Sequence, residues 1–205
     1  MAELFPAFLK LEGRNVLVVG AGKVGEPKIG GLLGTGARIT VVALEAGTAT
    51  RDWVKAGVIA LRQRAFVPDD LQGVFMAVVA TGSRELNQFV FDEAHLRGVL
   101  CNVVDVPQQC DFYYPAVVRR GDLQIAISTA GQSPFLAQRI RQQLERQFGP
   151  EYAPWVKELG ETRRRILASE LSPERKRDLL QSLSSAEAFE SAVEAEERTR
   201  EGVVL

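Results

Sequence analysis

Histidine and cysteine are nearly missing from this 205-residue chain: there is one His, His95, and two Cys, Cys101 and Cys110. A zinc site built on Cys and His takes about four ligands, so none is expected. A Ser-His-Asp or Cys-His centre could use only His95. Two cysteines in a chain this long make no secreted disulfide framework. An excess of one charge is also absent, with 25 Lys and Arg against 26 Asp and Glu, which argues against a general nucleic-acid binder. No stretch approaches the ~18 apolar residues of a membrane helix. The start carries Glu3 and Lys10 and lacks the basic, apolar, small-residue order of a signal peptide. The expectation is a cytoplasmic protein with no membrane and no nucleic-acid partner.

What is present is ordinary globular composition, 46% apolar and 25% charged, in a pattern that changes along the chain. Residues 151–205 hold 9 basic and 12 acidic residues, leaving 16 and 14 for the first 150. The shift near Phe148-Gly149-Pro150 marks a boundary. Beyond it lies a Glu/Arg/Ala/Leu-rich region that reads as solvated helices. Before it, apolar runs alternate with helical segments. Strands are expected at Asn15–Val19, Arg38–Val42, Val58–Leu61, Val74–Ala80 and Val99–Val104. Helices are expected up to Leu33, over Thr48–Ala56 and over Glu85–Arg97. This alternation predicts a parallel sheet covered on both faces.

Past Asp105–Asp111, Tyr114–Arg119 and Leu123–Ser128 flank Arg120-Gly121-Asp122 and read as a β-hairpin. Ser133 and Pro134 then start a helix. Leu136, Ile140, Leu144 and Phe148 are expected to form its apolar stripe.

Gly20-Ala-Gly22-Lys-Val-Gly25 follows the first strand and opens a helix. In that context the first glycine permits a tight turn, the second lets backbone approach a pyrophosphate, and the third lets helix and strand pack closely. The helix N-terminus offers unpaired N–H groups to phosphate. A tight turn with no ligand is the plainer alternative. Pro27 is tolerable only in the first turn of that helix. The acid that reads a ribose should follow the second strand. Glu45 is the one nearby; it either binds a ribose hydroxyl or is a surface charge. No Lys or Arg lies between Ile39 and Thr50, which favours NAD over NADP.

Ligands of open α/β sheets bind beyond the carboxyl ends of the strands. There stand Thr81, after the fourth strand, and Asn102 and Asp105, at the end of the fifth. Asp105 either faces the crevice or caps a turn before Pro107.

Four stretches together resemble the siroheme-synthase dehydrogenase/chelatase family: residues 4–22, Cys101-Asn-Val-Val-Asp105, Asp111-Phe-Tyr-Tyr-Pro-Ala116, and residues 125–137. They span most of residues 1–148. The resemblance implies an NAD-binding Rossmann domain at 1–112, a dimerisation segment of hairpin and helix at 113–149, and a C-terminal helical domain at 150–205. It implies a homodimer that oxidises precorrin-2 to sirohydrochlorin with NAD. In some relatives ferrous iron is then inserted to give siroheme. The family's motif aspartate falls on Asp105, held to act as a general base. Its NAD contacts fall on Lys23, Val24, Leu44 and Glu45. No metal-binding residues of the protein are expected.

Dehydrogenation removes a hydride and a proton, so one base and accurate positioning suffice. The substrate's many carboxylates call for cationic donors. Arg119, Arg120, Arg139 and Arg141 are candidates, with a solvated face as the alternative for each. Ser128 and Thr129 add hydroxyls before the Ser133 helix, or else fix the loop. Cys101 reads as a small buried residue, Cys110 as an incidental thiol or a substrate contact, and His95 as structural or surface. This sequence departs from the family's usual pattern at Gly25, Pro27-Lys28, Gly82-Ser83 and Ala130. The competing reading is a non-catalytic NAD-sensing regulatory protein.

Overall fold

A computed structural model describes residues 3–202. The chain divides into two compact units, Met1–Tyr114 and Pro115–Leu205.

The first unit alternates β1 (Asn15–Ala21), α1 (Gly25–Leu32), β2 (Arg38–Ala46), α2 (Thr48–Lys55), β3 (Ala60–Arg62), β4 (Met76–Val79), α3 (Arg84–Leu96) and β5 (Leu100–Val103). The sheet is parallel throughout, in the order β3-β2-β1-β4-β5. It is a Rossmann-type doubly wound sheet, as the alternation predicts.

Side chains of a strand alternate between faces, and here both faces are buried. Val16, Val18, Ile39, Val41, Met76 and Val78 pack with Ile29 and Leu32 of α1 on one face. Leu17, Val19, Val42, Ala77, Val79, Cys101 and Val103 pack with Val90 and Ala94 of α3 on the other. Each fully buried valine or leucine contributes roughly 1.5–3 kcal/mol relative to an exposed one. This is why the central strands read as unbroken apolar runs.

Most element boundaries shift by one or two residues from expectation, β4 for example starting at Met76 rather than Val74. β2 continues four residues beyond Val42, because β1 itself runs on through a register shift to pair Ala21 with Ala46. Leu44 and Glu45 therefore belong to a strand tip. β3 starts at Ala60 rather than Val58.

The link from β3 to β4 is held by one buried acid. The Asp70 carboxylate accepts hydrogen bonds from Arg62 at 2.6 Å, from both terminal nitrogens of Arg64 at 2.6 and 2.7 Å, and from the Val67 N–H at 3.0 Å. Burial opposes its ionisation. The bonds from Arg64, Val67 and Arg62 outweigh that and hold its pKa at about 2. Because the folded value lies below the ordinary ~3.9, this stabilisation is complete above pH ~4 and is lost as pH falls toward 2. It should amount to about 2 kcal/mol. Thermal melts of wild type and Asp70→Asn should differ at pH 7 and converge near pH 2. A gap that stays constant with pH would contradict this.

The second unit begins with the hairpin β6 (Ala116–Arg120) and β7 (Leu123–Ile127), turning at Gly121-Asp122 with Gly121 at φ +58°. Then come α4 (Pro134–Gln147), α5 (Tyr152–Ala168), α6 (Pro173–Leu183) and α7 (Ala186–Gly202). Ser133 and Ser172 cap α4 and α6, each accepting at 3.3 Å from an N–H three residues on, with proline at the first helical position.

Three of the four residues expected to form the stripe on α4, Ile140, Leu144 and Phe148, are half-buried. The exception is Leu136, which is exposed, while its neighbour Ala137 is buried. A spacing of four residues advances about 40° past a full turn at each step. Leu136 and Phe148 thus lie about 120° apart and cannot share one inward line.

Candidate active site

The glycine loop has the geometry of a phosphate cradle. Gly20 has φ +100°, and a Cβ there would lie 2.3 Å from the Ala80 carbonyl oxygen. A Cβ at Gly25 would lie 2.2 Å from the Gly20 carbonyl oxygen. These two glycines allow close approach of backbone to backbone. Gly22 is different, since a Cβ there meets nothing within 4 Å; it faces open space where a ligand can approach. The N-cap of α1 is Val24, and no side chain caps that end. α3, α4 and α6 by contrast all carry a serine cap. The Glu26 N–H donates to the Gly22 carbonyl at 2.9 Å and Pro27 has none, so the donors left at the positive end of the helix are the amides of Val24 and Gly25. Lys23 and Val24 are exposed beside them, and Pro27 falls within the first turn. Open backbone at Gly22 and an uncapped helix start fit the pyrophosphate of a dinucleotide.

At the tip of β2, Leu44 and Glu45 are exposed. Arg51, at the start of α2, is folded back onto the Ala46 carbonyl and the Thr48 hydroxyl. After β4, the Thr81 hydroxyl donates to Asn87 Oδ1 at 2.6 Å and accepts from the Ser83 N–H at 3.2 Å. Thr81 therefore shapes the loop over the sheet edge with its own side chain engaged.

β1, β4 and β5 are level at their carboxyl ends, with Val19, Val79 and Val103 in register. At the ordinary strand spacing, the exit of β5 lies about 10 Å from the glycine loop. Asp105 sits at that exit, exposed, with φ +64°. It is the third residue of a turn closed by a 3.1 Å bond from the Val106 N–H to the Val103 carbonyl. Glycine or asparagine is usual at such a left-handed position, and aspartate tolerates it at a cost of order 1 kcal/mol. Among the described residues its carboxylate has no hydrogen-bond or ion-pair partner. An unpaired carboxylate held in a sparsely populated backbone conformation at the ligand-binding edge is suited to proton abstraction.

Asn102, a candidate substrate contact by its place at the end of the fifth strand, has its side chain engaged within the fold. It is 5% exposed, and its amide donates to the Phe112 carbonyl at 2.7 Å and to Cys110 Sγ at 3.3 Å. Cys101 is fully buried. Burial first, with Asp111 and Cys110 adding to it, pushes its thiol up to about 12. Burial raises the Cys110 thiol as well, and its Sγ lies 3.2 Å from both the Val103 and Val106 carbonyls. Neither cysteine is poised as a thiolate. His95 lies 3.5 Å from Asp111 and packs its ring on Phe91.

In the second unit, the four arginines separate into pairs. Arg120 donates to the carbonyls of Phe148 at 2.8 Å, Glu145 at 3.0 Å and Arg119 at 2.9 Å. It thus caps the C-terminal end of α4 and has no free face for a substrate. Arg141 is bonded to Gln138 and paired with Glu145. Arg119 and Arg139 are exposed, and among the described residues their guanidinium groups have no partner. Ser128 Oγ accepts from the Ala130 N–H and Thr129 Oγ1 from the Ser133 N–H, both at 3.1 Å. Both hydroxyls act in fixing the loop.

Comparison with known proteins bears on all of this. A family model described as NAD(P)-binding matches residues 7–116, and one described as "Sirohaem biosynthesis protein central" matches residues 120–147. A solved structure titled "SirC, precorrin-2 dehydrogenase" is 32% identical, with a TM-score of 0.80, over 97% of this chain and 98% of that one. The chain belongs to the precorrin-2 dehydrogenase/siroheme synthase family.

Curated family members named siroheme synthase are longer. That of Photorhabdus laumondii is 38% identical over 80% of this chain and 35% of its own length. That of Methylococcus capsulatus is 32% identical over 99% of this chain and 43% of its own length. This chain thus spans well under half of these relatives.

Two departures from the family's usual residues acquire a physical meaning. Ala130, where the family commonly has glycine, sits at φ +50°, so the loop before α4 carries strain that glycine would not. Gly25, where alanine is common, leaves free the space in which a Cβ would lie 2.2 Å from the Gly20 carbonyl oxygen.

Two residues given no role by the sequence matter to the site. Glu26 directly follows the third glycine, and its Oε1 accepts from the Thr50 N–H at 2.9 Å and the Thr50 hydroxyl at 3.2 Å. It caps α2 from α1 and is turned away from the phosphate cradle. Asp111, beside β5, is the other. Both partners lie far along the chain, so only folding reveals them.

Proposed function

We propose that this chain oxidises precorrin-2 to sirohydrochlorin, with NAD as the cofactor. One observation carries the reading: Asp105 is an unpaired, exposed carboxylate in left-handed backbone, on the same sheet edge as the glycine loop. Family membership supplies the substrate class. NAD, when bound, supplies a hydride acceptor. The chain's own residues do the rest. The amides of Val24 and Gly25 and the open backbone at Gly22 hold the pyrophosphate, with Lys23 beside it. Leu44 and Glu45 line the ribose side, and Glu45 favours a free 2′-hydroxyl over a phosphate. Asp105 Oδ takes the proton that leaves the tetrapyrrole carbon. Arg119 and Arg139 are the cations left unpaired for the substrate's carboxylates. The same reading makes the protein a homodimer through residues 113–148.

The test mixes purified protein, precorrin-2 and NAD and follows the absorption spectrum. Sirohydrochlorin should form, faster with NAD than with NADP, and the sample should sediment as a dimer. Ferrous iron added afterwards, as a substrate, tests ferrochelation. Binding of NAD with no sirohydrochlorin would overturn the dehydrogenase reading in favour of an NAD-sensing protein.

A further inference from the structure

β5 is an edge strand, yet its outer edge is paired. After the turn at Val103–Val106 the chain passes through a short 3-10 turn at Pro107–Gln109 and comes back along β5. Asn102 and Cys110 form an antiparallel bridge. Cys101 and Asp111, ten residues apart, are bonded twice. The Asp111 N–H donates to the Cys101 carbonyl at 2.8 Å, and the Cys101 N–H donates to Asp111 Oδ2, also at 2.8 Å.

The second bond is unusual for a sheet. The Cys101 N–H points away from β4, where a further strand would normally offer a carbonyl. Asp111 offers its carboxylate instead, so a side chain completes the ladder of a buried residue. Such charge-assisted bonds are stronger than neutral ones. Asp111 thereby closes the loop that has Asp105 at its tip. A left-handed aspartate persists only where its surroundings over-determine it, and this closure is what does so.

We infer that Asp111 is a positioning residue for Asp105: its carboxylate latches the returning segment to β5 and so holds the base at its working place. This rests on the dehydrogenase reading above and adds a second acid to it. Asp111 acts through Asp105, not on the substrate. A misplacement of about 1 Å can cost on the order of 100-fold in rate.

The test compares wild type, Asp111→Ala, Asp111→Asn, Asp105→Asn and the double variant Asp105→Asn/Asp111→Ala. All are assayed with precorrin-2 and NAD, well below the melting temperature measured for each. Asp111→Ala should lose about 10- to 100-fold in kcat, with KM for NAD and precorrin-2 nearly unchanged. Asp111→Asn keeps an oxygen acceptor for the Cys101 N–H and should recover most of the rate. On the Asp105→Asn background, removing Asp111 should have no further effect, because the group it positions is already gone. Wild-type turnover in Asp111→Ala, or a loss that multiplies with that of Asp105→Asn, would overturn the proposal. A loss that merely tracks the unfolded fraction would overturn it as well.

Hydrogen exchange at the Cys101 amide reads the latch without any turnover. Exchange should be slow in wild type and Asp111→Asn and fast in Asp111→Ala. Equal exchange in all three removes the latch, whereas a wild type that makes no sirohydrochlorin removes only the functional reading.

Discussion

Replacing Asp105 by asparagine is expected to lower precorrin-2 turnover by about 10²- to 10⁴-fold, the range that a positioned acid–base group contributes. NAD affinity should be unchanged, because the phosphate cradle lies about 10 Å away at the end of β1. Asparagine is the informative replacement. It has the same shape and tolerates φ +64° as well as aspartate does. The variant therefore removes the proton acceptor and leaves the turn in place. Asp105→Ala should lose the same activity and in addition about 1 kcal/mol of stability, because alanine is strained in left-handed backbone. Stopped-assay absorption spectra and NAD titration check both. Full activity in either variant would end the assignment of Asp105 as the base.

The second large effect is a contrast between two glycines. Gly20→Ala combines a positive φ with a Cβ 2.3 Å from the Ala80 carbonyl oxygen and 2.8 Å from its carbon. Both obstacles are backbone, which cannot swing aside. The conformational term costs about 1–2 kcal/mol and the overpacking about 1–3 kcal/mol. The melting temperature should therefore fall by many degrees, and NAD binding should be lost with the loop's shape. Gly22→Ala places a methyl group in open space at an ordinary φ. Its stability should change by less than about 1 kcal/mol, while NAD affinity falls because the methyl occupies the approach of the pyrophosphate. Thermal melts and NAD titration separate the two outcomes. A Gly22→Ala protein that binds NAD as wild type does would show that this loop is not the cradle.

Arg120 and Arg119 show why residue type alone could not assign the substrate's partners. They are neighbours in one hairpin, and both read as candidate carboxylate binders. In the folded unit the Arg120 guanidinium reaches carbonyls at Glu145 and Phe148 and is fully used at a helix end, while Arg119 stays unpaired. Asn102 tells the same story in the first unit. Its place in the motif is plain, yet its amide is spent holding Phe112. Glu45 changed in the opposite direction. It lies three residues past a strand expected to end at Val42, but the register shift at Gly20 lengthens β2 and carries it to the strand tip.

What the sequence determined by itself is what depends on neighbours in the chain. Apolar strands with both faces buried, three glycines at a strand-to-helix turn and serine–proline helix starts are set by local sterics and periodicity. They sufficed for the doubly wound fold, while the family was legible only through the resemblance of four stretches to known members. What only the tertiary structure decided is which polar groups remain free. That question is settled by partners 10 to 28 residues away: Asp111 on Cys101, Glu26 on Thr50, Arg120 on Phe148. A buried or half-buried polar group must find a partner, and the chain supplies that partner by folding. The groups left unpaired, Asp105 foremost among them, are those available for chemistry.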